Sequence, residues 1–267
     1  MPDILARDRK ESRISALIKR AYGRTRDQLI TALGTPPDVR NIPDSLFDQL
    51  QSQVENDLRE AIAIVLLLQM RAIDLDLSLA DDEWNRLRVN PERAGRAAER
   101  YARRRARETA TSVIDTYRDR VETAGREARE RIETARERIE GVSFETDEAR
   151  RIAEIEANRE ARRSMRDLEK RIREIEREQA ESVGTTETTA AGTAGEQQFK
   201  KQVQREFGVL IVPAWITARD ERVCPICEPL DGTVEVEWGE KFRDGPPAHP
   251  RCRCYLKWEE SFVLEGA

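Results

Sequence analysis

The run NPERAGRAAERYARRRARETATSVIDTYRDRVETAGREARERIETARERIEG, Asn90–Gly141, decides the architecture. Asn90 is a capping residue, Pro91 occupies the first helical position where an N–H is not needed, and Glu92 sets negative charge against the positive helix end. Nothing interrupts the helix before Gly141, so the pattern predicts a single helix about 75 Å long. Thr146, Asp147 and Glu148 open a further helix, predicted to run to about Val183 and Gly184. Two helices of that length joined by about five residues fold back as an antiparallel hairpin. Within the second, Met165, Leu168, Ile172 and Ile175 alternate by three and four, a short coiled-coil seam. Its Glu- and Arg-rich flanks read as solvated faces with i,i+4 pairs.

Upstream, Ile4, Leu5, Ile14, Leu17, Ile18, Leu29, Ile30 and Leu33 are spaced for a helix over about 4–33, stopped by Gly34, Pro36 and Pro37. Another helix starts near Asp44 or Ser45, where Ser45 and Asp48 form a capping-box pattern, and runs to about Leu79. Its middle, AIAIVLLLQM over Ala61–Met70, is apolar nearly all round and must be covered. It falls short of the roughly 20 apolar residues a membrane span needs. The N-terminal MPDILARDRKESR has no apolar targeting region. The expectation is a soluble protein made in a reducing compartment, with no membrane partner.

Composition narrows the function classes. Of 267 residues, 37% are charged and only 5% aromatic, with a mean hydropathy of −0.73, so much of the chain should be elongated helix with wet faces. Lys and Arg total 47 against 52 Asp and Glu, a formal net charge of −5, which argues against a uniformly basic nucleic-acid binder. Arg96–Arg107, RAAERYARRRAR, is locally basic and reads in two ways: a surface for DNA phosphates, or an exposed face against an acidic protein neighbour. No phosphate loop, GxGxxG or GxSxG motif occurs.

Residues 182–197, SVGTTETTAAGTAGEQ, have almost no apolar bulk and read as a flexible linker. A short helix follows, and then strand patterns: Val209–Trp215 broken by Pro213; Val234, Val236 and Trp238 alternating with Glu235 and Glu237; and Cys252, Cys254, Leu256 and Trp258 on one face. The fold class expected is α+β, predominantly α: long helices followed by a small zinc-stabilised mixed module of short strands. The domains expected are an N-terminal helical region 1–90, the hairpin 91–183, a linker 184–197 and a zinc-binding module 198–267.

All four cysteines and the only histidine lie between residues 224 and 254. A Cys224-Pro-Ile-Cys227 turn can set two thiolates on one metal, and His249, Cys252 and Cys254 supply the rest of a tetrahedron. Five candidates compete for four places. One set is Cys224, Cys227, His249 and Cys252; the other is the four cysteines, since residues two apart on a strand point the same way. Buried reduced cysteines are the third reading. A closed zinc site of this kind is structural, and it supplies folding energy that so small a module lacks. A lone histidine excludes HExxH and His–His arrangements and leaves a nuclease of the HNH type without its base.

Trp215, Thr217 and Asp220, then Cys224-Pro-Ile-Cys227, then Leu230-Asp-Gly232, then Gly245-Pro-Pro-Ala-His249-Pro-Arg-Cys252-Arg-Cys254, resemble the Mu F-like minor head proteins of tailed viruses, also called phage head morphogenesis proteins. Upstream, Ala149–Glu160 is similar to that family's helix of the form A-x-x-I-A-x-T-E-x-x-R, with Ile155 in place of Thr. The charged stretch between the two matches looks like an insertion, and residues 1–90 match nothing in the family pattern. The resemblance implies a structural, non-enzymatic virion protein, in few copies at the portal vertex or capsid interior, acting in head assembly and in packaging or delivery of DNA. Its implied partners are the portal protein, the major capsid protein, or both, with packaged DNA reached through Arg96–Arg107.

Overall fold

The computed structural model describes residues 4–76, 91–140, 143–207, 212–220 and 223–258. Helix α1 spans Ile4–Leu33, α2 Asp44–Asp76, α3 Pro91–Glu140 and α4 Asp147–Phe207; β1 covers Pro213–Ile216, α5 Glu235–Trp238 and β2 Tyr255–Trp258. The class is α+β and predominantly helical, with one small two-stranded antiparallel sheet. The helix starts follow the sequence signals. The Thr146 hydroxyl accepts the Ala149 N–H at 3.1 Å, capping α4, and Gly34 takes a left-handed φ of 70° just past α1. The expected end of α2 near Leu79 and the stop at Gly141 lie outside the described residues.

The chain forms two compact units. One comprises Ile18–Val54 and Thr109–Ala180. Its core is lined by Ile18, Leu29, Leu50, Ile114, Val121, Leu168, Ile172 and Ile175. Ile172, Ile175 and Leu168 of the expected seam are buried there, whereas Met165 is half-buried. The interior also holds a polar knot. The Tyr22 hydroxyl donates to Gln179 Oε1 at 2.7 Å, the Tyr117 hydroxyl donates to Glu176 Oε1 at 3.2 Å, and Arg26 Nε donates to Glu176 Oε2 at 2.8 Å. Gln179 also donates to the Val113 carbonyl. The partners Val113–Gln179 and Tyr117–Glu176 run in opposite directions along the chain, so α3 and α4 are antiparallel here.

The other unit comprises residues up to Leu17, Glu55–Glu108 and the chain from Glu181. Here α3 presents Ala94, Ala98, Ala102 and Ala106, all buried, a small-residue edge against which neighbours pack closely. The apolar middle of α2 is covered as expected: Ala61, Ile62, Val65, Leu66 and Met70 are buried, and Leu68 is exposed.

This unit corrects the linker reading. Residues 182–197 are continuous α-helix within α4, which does not stop at Gly184 and needs no separate short helix after it. Val183, Glu187, Thr188, Thr189, Ala190, Ala191, Thr193, Glu196 and Phe199 are all buried. The small side chains mark tight packing. A Cβ on Gly184 would lie 2.7 Å from the Glu11 carbonyl oxygen, and one on Gly195 2.8 Å from that of Leu66. The buried Glu187 carboxylate is met by Arg105 at 2.8 and 2.9 Å.

A second correction falls on Val234–Trp238. Val234 makes a single bridge to Ala214, and the chain then closes into α5, one helical turn rather than a strand. The Glu237 carboxylate accepts the Val234 N–H at 2.9 Å, and Trp238 turns inward. In the helical turn Trp238 packs against Trp215 while Val236 is left exposed, so the alternating apolar residues no longer share one face. Of Val209–Trp215, residues 209–211 lie outside the described set; β1 begins at Pro213, which sits at an edge of the sheet where its missing N–H is harmless.

Candidate metal centre

The C-terminal module is built on Trp215. Strands β1 and β2 pair antiparallel, with Trp215 opposite Leu256 and Ile216 opposite Tyr255. The other edge of β1 is held by Trp215 N–H to the Thr233 carbonyl at 2.8 Å and Gly232 N–H to the Trp215 carbonyl at 2.7 Å. Gly232 has φ 81°, the left-handed conformation that the Leu230-Asp-Gly232 turn requires. The Trp215 ring meets Trp238 edge-on at 5.5 Å and Phe242 at 5.4 Å. These rings form one small core with Cys227, Cys252, Cys254 and Leu256.

Polar residues tie the loops to this core. The Asp231 carboxylate accepts the Thr217 N–H at 2.9 Å, the Thr217 hydroxyl at 3.1 Å and Arg219 Nε at 3.0 Å. Those bonds hold Asp231 below the ordinary carboxylate range, against the opposing effect of burial, which is the largest single influence on it. Asp220 accepts from Arg253 Nη2 at 2.5 Å. The Trp, Thr, Asp and Leu-Asp-Gly positions thus act as scaffold for the cysteine window.

The five expected ligands do come together. The donor atoms of Cys224, Cys227 and His249 lie within 4.8 Å of one another, as do those of Cys227, Cys252 and Cys254, so Cys227 joins two overlapping triads. In the CPIC turn the Cys224 carbonyl accepts the N–H groups of Cys227 and Glu228, at 3.0 and 2.9 Å, which curls both thiols to one side. Cys227 Sγ is 3.8 Å from Cys252 Sγ. That is the edge of a tetrahedron whose metal–sulfur bonds are about 2.3 Å. His249 Nε2 lies 2.9 Å from Cys224 Sγ and 3.2 Å from Cys227 Sγ. A nitrogen–sulfur edge around a zinc-sized ion is about 3.6 Å, so His249 needs to retreat by several tenths of an ångström. Its Nδ1 lies 2.7 Å from the Pro250 carbonyl oxygen, which can only accept, so Nδ1 carries the proton and Nε2 offers its lone pair to the thiols.

Electrostatics favour a cation here. Burial pushes the Cys227 thiol up to about 12, a measure of how costly an unaccompanied thiolate is in this core. Cys252 is held down to about 5, first by its hydrogen bond with Cys254 and against the effect of burial, with backbone N–H groups assisting. Cys254 is correspondingly raised. Sulfurs that cannot all ionise alone can do so around a divalent ion, and the cluster of Cys224, Cys227, Cys252, Cys254 and His249 can hold a metal.

The module is docked by residues the sequence reading did not single out. The Thr189 hydroxyl donates to the Cys252 carbonyl at 2.6 Å, and the Thr186 hydroxyl accepts the Arg251 N–H at 2.9 Å. Arg7 Nη1 donates to the Arg253 carbonyl at 2.5 Å and its Nη2 to Thr189 at 2.7 Å. Three consecutive backbone groups of the ligand loop are therefore pinned by α1 and α4. The signal was present as Thr186, Thr189 and Thr193, spaced by three and four on one helix face.

Arg96–Arg107 lies on α3, with Ala98, Ala102 and Ala106 buried beneath it. Arg96 pairs with Glu92, Arg103 with Glu99, Arg104 with Glu108 and Arg105 with Glu187, so most of its charge is locally neutralised.

No described helix is long and apolar enough to cross a membrane. No curated protein and no solved structure matches the chain. The model of the family described as Phage Mu protein F like protein matches residues 150–257. That span takes in most of α4 together with the whole cysteine window and the strands around it, and over those residues the chain is similar to the phage head morphogenesis family.

Proposed function

We propose that this chain is a minor structural protein of a tailed-virus head, acting near the portal in head morphogenesis and in packaging or delivery of DNA. One observation carries the reading: the family match encloses both the ligand cluster and the α4 segment that pins its loop. The cluster holds one Zn2+, with Cys224, Cys227, His249 and Cys252 as ligands and Cys254 the alternative fourth. Supporting this are the lone pair of His249 Nε2 facing two thiols and the tetrahedral spacing of Cys227 and Cys252. Four such ligands close the coordination sphere, so the ion locks a shape and performs no chemistry.

The rigid module is the docking element, and its partner is the portal protein, the major capsid protein, or both. A rigid surface loses less entropy on docking than a mobile one. The protein resides in the virion, in the capsid interior or at the portal vertex. A DNA-binding zinc module with no structural duty is disfavoured by the mixed charge of the module surface, where Glu228, Glu237, Glu240 and Asp244 are exposed among Arg219, Lys241, Arg243 and Arg251. Co-purification of the chain with portal rings from infected cells tests the reading. Heads that assemble with a full complement of Cys224→Ser/Cys227→Ser protein would overturn the role of the metal. Heads that never contain the chain would overturn the function.

A further inference from the structure

Along α4 the residues Arg159, Arg163, Arg166, Lys170, Arg173 and Arg177 follow one another at alternating intervals of four and three. At 3.6 residues per turn they fall within about 40° of one line, a stripe about 27 Å long. All six are exposed. The opposite side of the same helix is the apolar one, with Ala161, Leu168, Ile172 and Ile175 buried, so the stripe faces straight outward. A Glu- and Arg-rich helix is expected to cancel its charges through i,i+4 pairs, and here that expectation fails. Of the six cations only Arg173 has an ion pair among the described residues, with Glu169 at 3.5 Å. Several nearby acids are drawn elsewhere: Glu176 turns inward to Arg26, Glu178 meets Arg120 and Glu174 meets Arg171. Glu156, Glu160 and Asp167 flank the stripe on one side and close no ion pair on it among the described residues.

A row of like charges at i,i+3 and i,i+4 weakens the helix that carries it. It is also out of keeping with a chain of net charge −5. Segregating cations on one solvent face makes physical sense where a polyanion lies along that face. We propose that the α4 stripe Arg159–Arg177 is a binding surface for the phosphate backbone of double-stranded DNA, read without sequence preference. Its length matches about eight base-pair steps at 3.4 Å per strand charge, and six point charges on a stiff rod suit a regular linear array of phosphates. The α3 segment Arg96–Arg107 is the weaker candidate, because four of its arginines already have carboxylate partners. The choice of DNA over an acidic protein rests on the head-protein reading, but binding to naked DNA is measurable without heads.

The test is a salt titration of the purified full-length chain on a random-sequence duplex. Six phosphate contacts give a slope of log K against log salt near −5, so affinity falls by about 10³-fold between 50 and 200 mM salt. Arg163→Gln/Arg166→Gln/Lys170→Gln should make the slope shallower by about 3 units and keep full helicity, since all three side chains are exposed. The control Arg100→Gln/Arg103→Gln/Arg107→Gln on α3 should leave the slope within about 1 unit of wild type. An unchanged slope in the α4 variant, or its loss in the α3 variant instead, overturns the assignment. So does poly-glutamate binding as tightly as DNA, which would make the stripe a docking face for an acidic protein. Entry of the α4 variant into heads is scored separately: normal entry with weakened DNA binding supports the assignment, and failure of wild-type chain to enter heads condemns only the head reading.

Discussion

Gly195→Ala separates a buried helix from a flexible tether by the sign of one number. In a solvated helix the exchange gains about 1 kcal/mol of helix propensity. In a flexible tether it also gains, by about 0.4–1 kcal/mol, through the unfolded chain. In the structure the added Cβ would sit 2.8 Å from the Leu66 carbonyl oxygen and 3.1 Å from the Gln69 Cβ, both on or next to the α2 backbone. Neither neighbour is the loose end of a side chain, so α2 and α4 must part by several tenths of an ångström. Overpacking of this kind costs about 1–3 kcal/mol, and the net change is a loss of about 1 kcal/mol. Gly192, three residues earlier on the same helix, has nothing within 4 Å of its would-be Cβ, so Gly192→Ala should gain up to about 1 kcal/mol. Thermal melts followed at 222 nm should show Gly195→Ala falling and Gly192→Ala rising, each by roughly 2–4 °C. If both variants rise together, the close approach of α2 to α4 is refuted.

Four further outcomes follow from the same interactions. Cys224→Ser/Cys227→Ser, or strong chelation, should abolish the near-ultraviolet signal of Trp215 and Trp238 with little loss of helicity, while metal analysis of the wild type returns close to one zinc per chain. Glu196 is buried, and burial raises it to about 8 despite hydrogen bonds from Leu256 N–H and Gln69. An acid that binds its proton more tightly when folded gives full stability below its unfolded value of 4.5 and loses it as pH climbs from there through about 8. Glu196→Gln should therefore match wild type at pH 4.5 and exceed it at pH 8, by on the order of 3 kcal/mol in urea titrations. Arg26→Ala strands the buried Glu176 carboxylate and should cost about 2–4 kcal/mol, much of it recovered by adding Glu176→Gln. Limited proteolysis should spare residues 182–197, and an early cut there would contradict their burial.

The helix starts were legible because caps are local: the Thr146 hydroxyl takes the Ala149 N–H three residues on whatever the tertiary context, and Pro91 stands at the first position of α3. The ligand window was legible because five scarce residues cannot cluster without a chemical reason. Residues 182–197 were misread because Gly, Ala and Thr carry two meanings. The same small side chains that leave a loop free also let two helix backbones touch, and only the partner surfaces around Glu11 and Leu66 decide which applies. The Val234–Trp238 alternation misled because its middle member, Val236, is 80% exposed, while the burial of Trp238 against Trp215 sets the local backbone. The cation stripe was visible as residues but not as a surface. How far its acids would cancel it depended in part on Arg26, Arg120 and Arg171 drawing Glu176, Glu178 and Glu174 away.

The bond from Arg7 to the Arg253 carbonyl spans nearly the whole chain, and the unit that contains it is assembled from the first, middle and last parts of the sequence. During synthesis at about 5–20 residues per second, α1 waits roughly 12–50 s for its partner to be made. The other unit is complete once Ala180 has emerged and can fold first. The ligand window is made after the residues of the early unit, so on the proposed reading metal capture follows the folding of that unit. Until then the α4 face carrying Thr186, Thr189 and Thr193 has no module to receive. If the cluster takes up the proposed ion, a shortage of it leaves chains with the early unit finished and the late one open, a kinetic checkpoint set by the order in which the sequence is written.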